Sequence, residues 1–90
     1  MNEAFLTKIR ENLISHLDIE KEALAGFTDD TIIFNTGDGR PNLGLDSMDA
    51  LELVTMIFEL FGFDVLAEDV KKLYSVNAIA AYLNEQGITE

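Results

Sequence analysis

The chain contains no cysteine, one histidine and only 6 Lys and Arg residues among its 90 positions. Without cysteine, neither a disulfide nor a thiolate metal site is available, which fits a reducing cytoplasm. The lone His16 has no cysteine to pair with, and near the end of an amphipathic segment it reads as a helix-end residue favoured by the macrodipole. Set against 17 Asp and Glu, the few cations leave a formal net charge of −11. That charge excludes nucleic-acid binding by phosphate neutralisation and disfavours adsorption to anionic membranes. No stretch approaches the roughly 20 apolar residues that span a bilayer. The N-terminal run MNEAFLTKIRENLISHL carries charges through its apolar positions, unlike the uninterrupted core of a signal peptide. What the chain does have is apolar content, 48% hydrophobic against 26% charged, too much for disorder. The expectation is one folded, acidic, cytoplasmic domain over residues 1–90, monomeric and without stable membrane insertion.

From Glu3 to Leu17, the residues Phe5, Leu6, Ile9, Leu13 and Leu17 recur at spacings of three and four, the pattern of an amphipathic helix. Periodicity then fades over residues 18–46, where Gly26, Gly37, Gly39, Pro41 and Gly44 mark a long connection. At most a short turn is expected around Thr31–Phe34, started by Thr28, Asp29 and Asp30. A loop of this length is either functional or hides an unrecognised element. A second helix is predicted from Asp46 or Ser47 to about Phe61, stopped by Gly62. Asp46 and Asp49 form a pair like a capping box at its start. Its apolar arc comprises Ala50, Leu51, Leu53, Val54, Ile57, Phe58 and Phe61, and the opposite arc collects Met48, Asp49, Glu52, Thr55, Met56 and Glu59. After the apolar link Phe63–Leu66, a short third helix is predicted over Glu68–Tyr74, with Val70 and Leu73 inward. Ser75 caps a last helix bearing Val76, Ile79, Ala80 and Leu83, which ends before Gly87. The fold class is therefore all-α, a four-helix bundle of three main helices and one short one, with a long loop between helices 1 and 2.

Two motif candidates fail on spacing. Gly37-Asp38-Gly39 lacks the third glycine of a dinucleotide loop, Asn42 standing there, and reads as turn chemistry. A calcium loop begun at Asp38 would put Arg40 and Leu43 where a ligand oxygen and a glycine belong. No catalytic constellation or metal site remains, so a carrier or binding protein fits better than an enzyme.

The stronger signal is Leu43-Gly44-Leu45-Asp46-Ser47-Met48. A serine at a helix start is ordinarily a cap. Here Asp46 can take that role, Gly44 allows unusual backbone angles, and Ser47 is left with its hydroxyl at an exposed helix N-terminus. A covalently attached phosphate is favoured there by the macrodipole.

The run LGLDSMDALELVTMIFELFGFDV resembles the carrier motif of acyl carrier proteins, a Leu-Gly-x-Asp-Ser-Leu start followed by an acidic helix and a Phe-Gly-type close. The likeness continues through DVKKLYSVNAIAAYL, which is similar to that family's third and fourth helices. The resemblance implies that Ser47 carries 4′-phosphopantetheine through a phosphodiester and that Asp46 belongs to the motif read by the phosphopantetheinyl transferase. The arm's thiol would supply the sulfur the chain lacks, and acyl groups would ride on it as thioesters. Partner enzymes that load, condense and transfer acyl groups would do the chemistry. Met48, Asp49, Glu52, Thr55, Met56 and Glu59 are the expected docking face, acids steering toward basic patches and methionines adapting to several partners. Leu51, Val54, Ile57, Phe61, Val70, Val76 and Ile79 read as core, and the resemblance implies that some of them line an acyl cleft.

Three departures from the family pattern stand out. Met48 replaces the usual leucine, a volume-conserving change. Phe58 and Leu60 occupy positions where many relatives place acids, and residues 36–42 look like extra loop. These hint at a specialised carrier. Two alternatives remain open, an aminoacyl or peptidyl carrier and an unmodified interaction module that docks through the acidic helix.

Overall fold

Apolar residues three and four positions apart wind Glu3–His16 into helix α1, which turns Phe5, Leu6, Ile9 and Leu13 inward. The computed structural model describes residues 3–17, 19, 21–34 and 42–89. Asp18, Glu20, the Gly37-Asp38-Gly39 turn and most of the 36–42 stretch lie outside the described residues. After α1 come a short 3₁₀ helix at Lys21–Leu24, strands β1 (Ile32–Phe34) and β2 (Asn42–Leu45), helix α2 (Ser47–Phe61), a 3₁₀ helix at Ala67–Lys72 and helix α3 (Val76–Glu85). The helical expectation holds. Three main helices and a short one between α2 and α3 surround a single core, and the two-stranded sheet is a minor addition.

Helix α1 packs on both α2 and α3. Its Phe5, Ile9 and Leu13 meet Leu53, Met56 and Ile57 of α2 and Val76, Ile79 and Leu83 of α3 in one fully buried cluster. Phe5 meets Phe61 edge-on, with ring centroids 5.6 Å apart, and Lys8 Nζ covers the outer side of the Phe61 ring at 4.9 Å.

The connection between α1 and α2 holds more structure than its sequence predicts. The turn expected near Thr31 is there: the Thr28 N–H donates to Thr31 Oγ1 at 2.8 Å and the Asp30 N–H to Thr28 Oγ1 at 3.2 Å. Beyond it, β1 and β2 pair in parallel, Ile32 opposite Asn42 and Phe34 opposite Leu45, with an irregularity between. Ile33 is fully buried, and its N–H donates to the Tyr74 carbonyl at 2.9 Å. Strands of three and four residues are too short for a period of two to register, and their partners lie outside any local window. The turn is fastened on both sides. Arg10 Nη1 of α1 pairs with Asp29 Oδ1 at 2.7 Å, and Asn77 of α3 donates from its backbone N–H to the Asp29 carbonyl at 2.9 Å. Asn77 Nδ2 adds a bond to Asp30 Oδ1 at 2.7 Å.

The short helix predicted over Glu68–Tyr74 forms at Ala67–Lys72 as a 3₁₀ helix, with Glu68 and Asp69 in its first turn and Lys71 and Lys72 in its last. Val65 before it and Leu73 after it are buried in the core. Ser75 caps α3 as expected, its hydroxyl accepting from the Ala78 N–H at 3.0 Å. Tyr82 of α3 donates its hydroxyl hydrogen to Asp69 Oδ2 at 2.9 Å. Burial above all, then this hydrogen bond, pushes the tyrosine up to about 12. The same hydrogen bond, with help from Lys72, holds Asp69 below the usual carboxylate range.

Candidate functional site

The LGLDS run lies at the junction of β2 and α2. Leu45 is buried and anchors the junction, so the chain must turn sharply to present the next residues outward. Gly44 takes φ +74°, a conformation L side chains rarely adopt. A Cβ there would meet only Asn42 Oδ1, at 4.0 Å, so the backbone angle rather than crowding calls for glycine. Asp46 then caps α2 through a complete capping box. Its Oδ1 accepts from the N–H groups of Met48 at 3.0 Å and Asp49 at 3.1 Å, while Asp49 Oδ2 accepts from the Asp46 N–H at 3.0 Å.

Because Asp46 does the capping, Ser47 is exposed at the first helical position, and no hydrogen bond among the described residues engages its hydroxyl. The cap has taken two of the orphan N–H groups. A phosphate ester on Ser47 would therefore be stabilised mainly by the field of a 15-residue helix, about 0.3–1 kcal/mol at an exposed site. At the far end, Gly62 adopts the left-handed conformation at φ +68° and donates its N–H to the Phe58 carbonyl at 2.8 Å, closing the helix where the sequence predicts.

The faces of α2 are rotated from the sequence expectation. Met56, expected among the docking residues, is 0% exposed and packs in the core. Leu51, expected with the inward residues, is 69% exposed, and Phe58 is 51% exposed. Apolar residues cover more than half of the helix circumference, with Leu51 and Phe58 on one flank and Met56 and Leu60 on the other. Hydrophobicity alone does not choose between the flanks; the tertiary packing of α2, which meets α1 and β2, does, and it buries Met56 in the core. The exposed stripe that results is Ser47, Met48, Leu51, Glu52, Thr55, Phe58 and Glu59, with Asp49 half-buried at its edge. The Thr55 hydroxyl is satisfied within the helix by the Leu51 carbonyl at 3.0 Å. Among the described residues no ion pair engages Glu52 or Glu59, and α2 carries no basic side chain. The stripe therefore alternates apolar and uncompensated acidic groups.

Beside Ser47 an apolar groove of about 340 Å³ runs between α2 and the segment leading into the Ala67–Lys72 helix. Ala50, Leu51 and Val54 form one wall, Val65, Ala67 and Val70 the other, and Ser47 stands at its rim. This sorts the residues that sequence placed together as cleft or core. Leu51, Val54 and Val70 line the groove; Ile57, Val76 and Ile79 are fully buried packing; Phe61 is half-buried against Phe5. Ala50, Val65 and Ala67 were not expected at the site. Val65 falls within the apolar link Phe63–Leu66, the one sequence signal that pointed to this wall.

An exposed serine hydroxyl with no local partner, a left-handed glycine before it and an apolar groove beside it fit a covalent phosphodiester arm. The family model described as the phosphopantetheine attachment site matches residues 7–83. The chain is 31% identical to a Bdellovibrio bacteriovorus acyl carrier protein over 83 residues, covering 89% of this chain and 91% of that one. It is 30% identical to a Zymomonas mobilis subsp. mobilis acyl carrier protein over 81 residues, covering 87% of this chain and 88% of that one. No solved structure matches it significantly. No helix among the described residues is long and apolar enough to cross a membrane. With the motif, the helical fold and the matches spanning nearly the whole chain in agreement, the protein belongs to the acyl carrier protein family, whose members carry covalently attached 4′-phosphopantetheine.

Proposed function

We propose that Ser47 is the attachment residue, that residues 1–90 act as a single cytoplasmic carrier domain, and that the groove beside Ser47 shelters acyl cargo between encounters. The observation that carries this reading is the unengaged Ser47 hydroxyl at the rim of the apolar groove. The attached group supplies a terminal thiol that holds acyl groups as thioesters. This chain's residues do the rest. Gly44 and Asp46 hold Ser47 outward for a phosphopantetheinyl transferase, and Leu51, Val54, Val65 and Val70 offer apolar surface to whatever lies in the groove. The groove, about 340 Å³ and open along one side, offers apolar surface to an acyl chain.

Catalysis belongs to the partner enzymes, which act on fatty-acid, polyketide or related intermediates. Glu52 and Glu59 steer basic partner surfaces by long-range attraction, a rate effect that weakens with salt. Met48, Leu51 and Phe58 then give the docked complex apolar contact. Phe58, where many relatives carry an acid, supports a specialised partner set. Co-expression with a phosphopantetheinyl transferase tests the attachment. Intact mass rises by one phosphopantetheinyl group in the parent chain and stays unchanged in Ser47→Ala. An equal gain in Ser47→Ala, or none in the parent with several broad-specificity transferases, refutes the assignment.

A further inference from the structure

The outer wall of the groove is lightly founded. The Ala67–Lys72 helix has no fully buried residue, and Leu66 at its N-cap offers no side-chain hydrogen bond. A 3₁₀ helix repeats every three residues, so Ala67 and Val70 share one face while Asp69 and Lys72 share another. The first face lines the groove. The second is gripped from α3. Asp69 Oδ2 accepts from the Tyr82 hydroxyl at 2.9 Å, Asp69 Oδ1 pairs with Lys72 Nζ at 3.2 Å, and Lys72 Nζ stands 5.9 Å from the centre of the Tyr82 ring. The same ring meets Phe63 edge-on at 6.0 Å. Tyr82 is itself almost fully buried and belongs to a helix whose inner residues fill the core. One rigid side chain thus meets the wall at two points, Phe63 before Val65 and Asp69 between Ala67 and Val70.

We propose that Asp69 and Tyr82 are positioning residues for the groove: by tying the 63–70 segment to α3 they set the distance of Val65, Ala67 and Val70 from α2, and with it how completely an acyl chain is screened from water. This rests on the reading of the groove as the cargo shelter. Neither residue lines the groove. The hydroxyl and the carboxylate act only through the wall they hold.

The test loads the phosphopantetheinylated protein with butyryl or decanoyl groups and follows release by hydroxylamine with a thiol reagent. The chain has no cysteine, so the arm carries the thiol that reports. In the parent protein decanoyl release is slower than butyryl release by about threefold or more. Tyr82→Phe, which keeps the ring contact with Phe63 and removes the hydroxyl, brings that ratio close to one, as does Asp69→Ala. Arg10→Ala, which breaks the 2.7 Å ion pair to Asp29 and lines no part of the groove, leaves the ratio at the parent value. As a second readout, the methyl resonances of Val54, Val65 and Val70 shift on decanoyl loading in the parent and much less in Tyr82→Phe. A parent ratio retained by both Tyr82→Phe and Asp69→Ala overturns the positioning role alone. So does an equal collapse in Arg10→Ala, because general loosening then suffices. A ratio of one in the parent overturns the groove reading and the inference together.

Discussion

The rotation of α2 makes two methionines of one helix unequal, and the difference is large enough to measure. Met56 is 0% exposed among Leu53, Ile57 and the residues of α1, whereas Met48 is 74% exposed. Truncating a fully buried methionine to alanine loses its transfer free energy and leaves a cavity, about 2–5 kcal/mol. The exposed one stays within about 0.5 kcal/mol. For a chain of this size each kcal/mol moves Tm by about 4–8 °C, so Met56→Ala lowers Tm by at least about 8 °C while Met48→Ala lowers it by less than about 4 °C. Leu51→Ser behaves like Met48→Ala, since its side chain faces water along the rim of the groove. Urea unfolding of the unmodified protein, followed by circular dichroism, measures all three on one scale. The midpoint falls for Met56→Ala at nearly unchanged slope and hardly moves for the other two. Equal losses for Met56→Ala and Met48→Ala, or a Leu51→Ser loss as large as that of Met56→Ala, would refute the assigned face of α2.

Other predictions concern the cap, the turn and the tyrosine. Asp46→Ala removes two hydrogen bonds to the first turn of α2 and costs about 1 kcal/mol, while Asp46→Asn restores most of it; thermal unfolding reads both. Gly44→Ala forces an L side chain to φ +74° and costs about 1–2 kcal/mol; an unchanged Tm would show that the angle is not required. Burial, then the hydrogen bond to Asp69, pushes Tyr82 from an ordinary 10.0 up to about 12, so the folded state holds the proton more tightly. Its contribution to stability is fully present below pH 10 and is lost as pH climbs through about 12. Urea midpoints measured between pH 9 and 12 fall more steeply in the parent than in Tyr82→Phe. Parallel curves would contradict the burial and hydrogen bond that raise it.

The local features of this protein were written in its sequence. Helix starts at Ser47 and Val76, the Asp46 cap with its Asp49 partner, the stop at Gly62 and the exposed serine all follow from interactions within four residues along the chain. Such contacts form wherever the residues occur in order, so spacing is enough to read them. The acidic strip was also legible in Glu52 and Glu59, because charge avoids the interior on any fold.

Tertiary structure decided what depends on neighbours distant in sequence. Which apolar flank of α2 is buried was set by where α1 and β2 lie, sending Met56 inward and Leu51 out. The parallel pairing of β1 with β2 joins two fragments too short to announce themselves. The groove beside Ser47 lies between α2 and the 63–70 segment, whose Phe63 and Asp69 both meet Tyr82 of another helix. Sequence determined that a serine stands exposed at the start of α2; only the packing of separate elements made an apolar space beside it, since a cavity belongs to the gap between surfaces and to no residue's own propensity.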